Sequence, residues 1–345
     1  MARHLQLGDP TKERMCLECH ATYVSDASRR GEKFTLEDGV SCESCHGPAE
    51  GWLASHAAAG TTHQQNLSNG MADTVSLERR ADLCLSCHYG DESKRVTHDL
   101  YGAGHPRLRF ELDTYGILQP KHWLVDEDYR TRKEDYSPLR AWLFGQARQA
   151  ELLVMMLKNP HLSKNGILPE LSLFDCYSCH HSLSQQQWKG RSYGGTPGQL
   201  RVNSAPLLLL HTALSGIQPE VAQEVAQQTS VLSSSYQKDG APEAVASLVT
   251  LLEQRALPAV RATKSDEQTS RKVLQSLATL GRDSESIKFE LAEQIGMGMQ
   301  AALASSAILA AKHQADLKKV FSTIESADAF SPDAFRKAAG TLISH

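Results

Sequence analysis

Four times along this chain, two cysteines stand three residues apart with a histidine directly behind the second. The words are Cys16-Leu-Glu-Cys19-His20, Cys42-Glu-Ser-Cys45-His46, Cys84-Leu-Ser-Cys87-His88 and Cys176-Tyr-Ser-Cys179-His180. All eight cysteines among the 345 residues belong to these words, and none is left over. At this content of cysteine and histidine, chance would give roughly 0.01 such words per chain. Whatever this chain folds into must therefore present the same five-residue device four times.

Residues at i and i+3 lie on one side of a helical turn, and i+4 sits beside them. That geometry lets two thiols add to the vinyl groups of one haem while the imidazole reaches its iron from below. The words accordingly predict four covalently bound haem c groups. Cys16, Cys19, Cys42, Cys45, Cys84, Cys87, Cys176 and Cys179 would form the thioethers, and His20, His46, His88 and His180 the proximal iron ligands. Zinc is the first rival, because Cys and His are its ligands. It prefers sets of four, however, and twelve residues in four identical triplets divide badly into such sites. Adjacent Cys19 and His20 are also awkward partners on one tetrahedral ion. Disulfides or redox-active pairs would leave the four following histidines unexplained.

Composition fits a chain whose core is not built from side chains alone. Mean hydropathy is −0.38 and aromatics make up 6%. Porphyrin rings offer broad apolar surfaces, so fewer Leu and Phe side chains are needed around them. The net charge of −4 gives no reason to expect nucleic acid, and no long basic run is present. The opening "MARHLQLGDP" lacks the apolar segment of a secretory signal. The longest uncharged stretch, "QIGMGMQAALASSAILAA" at 294–311, approaches the lower limit for a membrane span. Its glutamines, serines and glycines predict a buried bundle helix instead, with no membrane span.

The words stop at His180, which suggests a tetrahaem cytochrome c domain over 1–200 and a helical domain without cofactor over 201–345. The glycine-rich "KGRSYGGTPGQ" at 189–199 reads as the loop ending the first part. Ser137-Pro138 predicts a helix start, with Leu139, Trp142, Leu143, Leu152, Leu153 and Met156 on its apolar stripe and Asn159-Pro160 at its end. Ser265-x-x-Gln268 fits a capping box ahead of Val273, Leu274, Leu277 and Leu280. Ser331-Pro332 opens a last helix, and no strand-like alternation stands out. The predicted fold class is mainly α: a multihaem cytochrome c with long loops around stacked haems, followed by a helical C-terminal region.

Each haem iron has a sixth position. His56 follows the second word in "AEGWLASHAAA", which reads as a short helix placing Trp52 and His56 at i and i+4. His98 and His105 lie in "VTHDLYGAGHPRLRFEL", where Gly102, Gly104 and Pro106 suit an imidazole presented at a fixed angle. His181 directly follows a proximal ligand, so it points away from that iron and toward a neighbouring one. His56, His98, His105 and His181 are the expected sixth ligands. His4, His63, His122 and His211 read as solvated or hydrogen-bonded side chains. No methionine sits in a comparable loop.

Together, "GVSCESCHGPAEGWLASH", "CLECHATY", "THDLYGAGHPRLRFEL", "LQPKHW" and "DCYSCHH" resemble the multihaem cytochromes of the cytochrome c-554 type. The resemblance covers roughly residues 10 to 185. It implies a periplasmic or extracellular electron carrier with stacked haems and mainly histidine–histidine ligation, passing electrons between redox partner proteins. It also implies that the haem of the first word, on His20, can lack a protein sixth ligand. Related chains carry a further haem word and a ligand histidine upstream of the position where this one begins. The alternatives are a reductase acting on a small nitrogen or oxygen species at an open haem, and a filament subunit self-associating through haem edges. Tyr23, Asp26, Arg29 and Arg30, just after the first word, suit either a small anion or a solvated loop.

Overall fold

Helix dominates, as the lack of strand alternation predicts. The computed structural model describes residues 1–119, 123–133, 136–180, 200–236, 241–284 and 287–343. They fall into two units, Met1–Leu108 and Arg109–His345. The boundary expected near residue 200 marks where the cysteine words stop. The structural division comes earlier and leaves the fourth word in the second unit. The loop expected at 189–199 lies outside the described residues.

The first unit holds α1 (Arg14–His20), α2 (Cys42–His46), α3 (His63–Ser68), α4 (Leu77–His88) and α5 (His98–Gly102). They are short because local signals stop them. Ala21 turns extended after α1, and Gly47 takes φ 75°, a value open to glycine, before Pro48 bars any continuation of α2. Side-chain caps fix several starts: Thr62 and Gln65 form a capping box on α3, and Ser76 and Thr97 accept from backbone amides of α4 and α5. The apolar side chains buried here are Leu17, Ala21, Trp52, Ala81, Leu85, Leu100 and Ala103. The short helix expected around His56 is instead a 3₁₀ turn, Ala49–Gly51, running into successive turns. A side chain at Gly51 would collide with the Asn69 carbonyl, so this turn packs directly against backbone.

The second unit is helical throughout its larger elements. Its helices are α6 (Leu112–Leu118), α7 (Glu127–Arg132), α8 (Pro138–Lys158), α9 (Pro160–Ser163), α10 (Ala205–Ser215), α11 (Pro219–Ser235), α12 (Pro242–Leu251), α13 (Leu257–Arg261), α14 (Glu267–Asp283), α15 (Phe289–Ala304), α16 (Ala307–Ser322) and α17 (Pro332–Thr341). As the sequence predicts, Ser137 caps α8, Pro138 is its first residue and it ends at Asn159. This central helix packs against α6, α10, α12, α13 and α15. Gly298 on α15 makes one crossing possible: a Cβ there would lie 2.5 Å from Trp142 Cζ2. A π turn, Leu252–Ala256, joins α12 to α13 just before Pro258, whose ring and missing N–H disturb the α ladder. Among the described residues the strands are β1 (Lys164–Asn165) and β2 (Leu168–Pro169), an antiparallel pair.

Two expectations need correction. The cap of α14 is Asp266, which accepts from the Thr269 amide at 2.8 Å, while Ser265 Oγ is 2.6 Å from Ser137 Oγ. The uncharged stretch 294–311 is not one helix: it breaks at Ser305–Ser306, and Ser306 caps α16. Among the described residues, no helix is long and apolar enough to cross a membrane.

Candidate haem-attachment site

Three of the four words sit in the first unit and end helices, on α1, α2 and α4. Each places its two cysteines and its histidine within one helical turn, as the chemistry requires. The fourth begins as a 3₁₀ turn over Cys176–Ser178, in the second unit, with Asp175 accepting from the Tyr177 amide at 3.0 Å. None of the eight cysteines is in a disulfide.

The first three words are bound to one another. Thr22, just past α1, donates its backbone N–H to the Gly39 carbonyl at 2.8 Å. Its Oγ1 lies 2.8 Å from Ser41 Oγ and 2.7 Å from Ser44 Oγ, at the start of α2. The end of the first word is thereby tied to the start of the second. Cys87 of the third word approaches the first, with Sγ 3.7 Å from the Glu18 carbonyl, and Lys94 Nζ donates to that carbonyl at 3.0 Å. The Cys19 and Cys87 thiols bias each other's ionisation, so one rises and the other falls. Cys19 is pushed up by its neighbour and by burial, whereas nearness to Cys19 and Lys94 holds Cys87 down against the cost of burial. Burial pushes Cys84 up to about 11 and Cys45 upward, and it also pulls His88 below its ordinary value. Neither Thr22 nor Lys94 carried a sequence signal, because each matters only through groups distant along the chain.

The proposed sixth ligands fare differently. His105 follows Gly104, which has φ 99°, and its N–H donates to the Leu100 carbonyl at 2.9 Å. Its Nδ1 lies 2.7 Å from the Pro106 carbonyl, and its ring centroid is 6.2 Å from that of His20. His56 has the same local device, with Nδ1 2.6 Å from the Leu53 carbonyl. A ring whose Nδ1–H is given to a carbonyl keeps its lone pair on Nε2, the form that binds a metal. Trp52, buried at 3% exposure, meets the His46 ring edgewise at 6.1 Å and the His56 ring at 5.5 Å. That indole is what links His56 to the second word. His98 is the half-buried first residue of α5. His181 and His122 lie outside the described residues. His63 meets Asp73, Nε2 to Oδ1 at 3.4 Å.

Among the described residues, no three His, Cys, Asp or Glu side chains converge to hold a bare metal ion. The donor set fits a covalently held haem better: unlinked thiols in pairs, each pair followed by an imidazole, three of them in a unit whose own side chains form little core. Residues 1–47, a stretch that holds the first two words, match the family described as Cytochrome c554 and c-prime. No curated protein and no solved structure matches the chain. Over its N-terminal stretch, the chain is similar to the cytochrome c554 family.

Proposed function

We propose that this chain is a tetrahaem c-type cytochrome that carries electrons between redox partner proteins outside the cytoplasm. The observation that carries the reading is the four complete Cys-x-x-Cys-His words, which consume every cysteine of the chain. The family match over the first two words supports it, as does the linkage of three words within one unit. Each bound haem would supply one-electron redox chemistry at its iron, and the chain's part is to hold, space and ligate the four irons. His20, His46, His88 and His180 are the proximal ligands on this reading, with His56, His98, His105 and His181 on the opposite faces. The location follows from the resemblance, since such cytochromes receive their haems after export.

Transfer rather than turnover is favoured by what the polar residues after the first word do. Arg30 donates Nε and Nη2 to the Val24 carbonyl at 3.0 and 2.7 Å, and its guanidinium lies over the Phe34 ring. Asp26 accepts from the Ser28 amide and hydroxyl at 2.9 and 2.7 Å. These groups hold their own loop, whereas catalysis needs donors aimed at a substrate.

Denaturing mass spectrometry of the chain, expressed with a haem-attachment system, is the direct test. Four haem additions and no alkylatable thiol are expected. Bound zinc, or haem extracted by acidic acetone, would rule the proposal out.

A further inference from the structure

Resting on the reading that the first word carries haem, we infer that its iron is six-coordinate, held between His20 and His105. The resemblance points the other way, toward an open iron on His20. A metal-bound imidazole nitrogen lies about 2 Å from its metal with the ring centroid roughly 1 Å behind it, so two imidazoles on opposite faces of one iron have centroids about 6 Å apart. The His20 and His105 rings are separated by 6.2 Å, with their planes 61° apart. Rotation about the iron–nitrogen axes is free in such a pair, so the interplanar angle is compatible with it.

Distance alone does not decide, because rings in edge contact reach similar separations. Three further features do. His105 Nδ1 is engaged by the Pro106 carbonyl at 2.7 Å, which leaves Nε2 as the basic nitrogen. The backbone leading to the ring is fixed by the left-handed Gly104 and by the bond from the His105 amide to the Leu100 carbonyl. His56 provides an internal control: it carries the same Nδ1 device, yet the ring it meets is Trp52, and His46 lies on that indole too. Of these two rings, that of His105 meets a proximal imidazole directly, with Tyr101 as its other ring neighbour at 6.3 Å. The first and third words are also joined at the Glu18 carbonyl, which Cys87 Sγ and Lys94 Nζ both approach, so the segment carrying His105, which follows the third word, is held within reach of the first. An iron filled on both faces by imidazole has no place for a small substrate, which agrees with transfer.

The test uses the full chain, matured with haem, and counts haem masses first. In the four-haem protein, His105→Ala should convert one low-spin haem to high-spin in the electron paramagnetic resonance spectrum, and added imidazole should reverse the change. In a chain carrying Cys16→Ala and Cys19→Ala, with three haem masses, His105→Ala should produce no new high-spin signal. An unchanged spectrum in the first background, or a new high-spin haem in the second, overturns the pairing. If His105→Ala does not mature, His105→Met should keep the haem low-spin and raise one potential in the four-haem chain only. A rise that persists without the first word also overturns the pairing. Fewer than four haem masses in the unaltered chain would instead overturn the four-haem reading, so the two failures are separable.

Discussion

Residues 1–108 bury seven apolar side chains, three of them alanines, whereas α8 in the second unit buries twelve by itself. The two units are held by different means. In the second, long helices interlock around α8, down to a glycine at 298 that admits an indole face. In the first, five short helices are pinned by caps and by hydrogen bonds such as those of Thr22, Lys94 and Arg30. Such bonds give specificity but each adds only about 1 kcal/mol to stability, and small units lacking a sufficient apolar core rely on cross-links, metals or bound groups. On the haem reading, the difference teaches that the cysteine words of the first unit would be structural as much as functional: the group they attach would supply the missing interior.

The strongest way to break this contrast is to withhold haem. In chain made without haem attachment, amide hydrogen exchange should be fast throughout 1–108 and slow in the helices from α8 onward. Protection of α1, α2 and α4 in that material would show that the first unit stands on its own.

A second, smaller effect belongs to the second unit alone. Glu111 caps α6, accepting from the Asp113 and Thr114 amides at 2.8 Å each. Burial, aided by the charge of Asp113, nevertheless raises its carboxyl from 4.5 to about 7. A group raised in the folded state stabilises below its unfolded pKa and loses that contribution as pH rises through the folded value. The shift is worth up to about 3 kcal/mol between pH 4.5 and 7. Glu111→Gln should therefore flatten the pH dependence of urea unfolding in that window, with wild type gaining relative stability toward pH 5. Parallel curves for the two proteins would contradict this.

The smallest effect probes the interlocking itself. Gly298→Ala should cost about 1–3 kcal/mol through overpacking, read as a lower urea midpoint for the second unit, while haem content stays the same. A neutral result would mean that α15 can move away from Trp142 without loss.

Much of this was legible in the sequence where the signal is local. Ser137-Pro138 and Ser331 mark helix starts because a cap and its amide partner lie within three residues of each other, and Asn159 marks an end because Pro160 follows it directly. The Cys-x-x-Cys-His words are legible for the same reason. The misreadings come from longer range. Ser265 resembles a cap as well as Asp266 does, but its hydroxyl is claimed by Ser137, more than a hundred residues away. Hydropathy ran α15 and α16 together because it does not register that Ser306 accepts from the Leu309 amide. The turn around His56 is shaped by the Asn69 backbone. The facing of His20 and His105 depends on contacts between segments distant along the chain, and no spacing rule encodes it.

The fourth word differs from the third in accessibility: Cys176 and Cys179 are both exposed, while Cys84 and Cys87 are half-buried and Cys87 Sγ lies 3.7 Å from the Glu18 carbonyl. On the four-haem reading, this difference sets an order of assembly. The second unit has a core of its own and keeps its thiols within reach of an attaching enzyme after it has folded. The third word, in the first unit, offers no such grace period, because its thiols become half-buried as the helices around them come together. Its haem would have to be joined while the chain is still open, which would make the closing of the first unit the stage at which maturation competes with collapse.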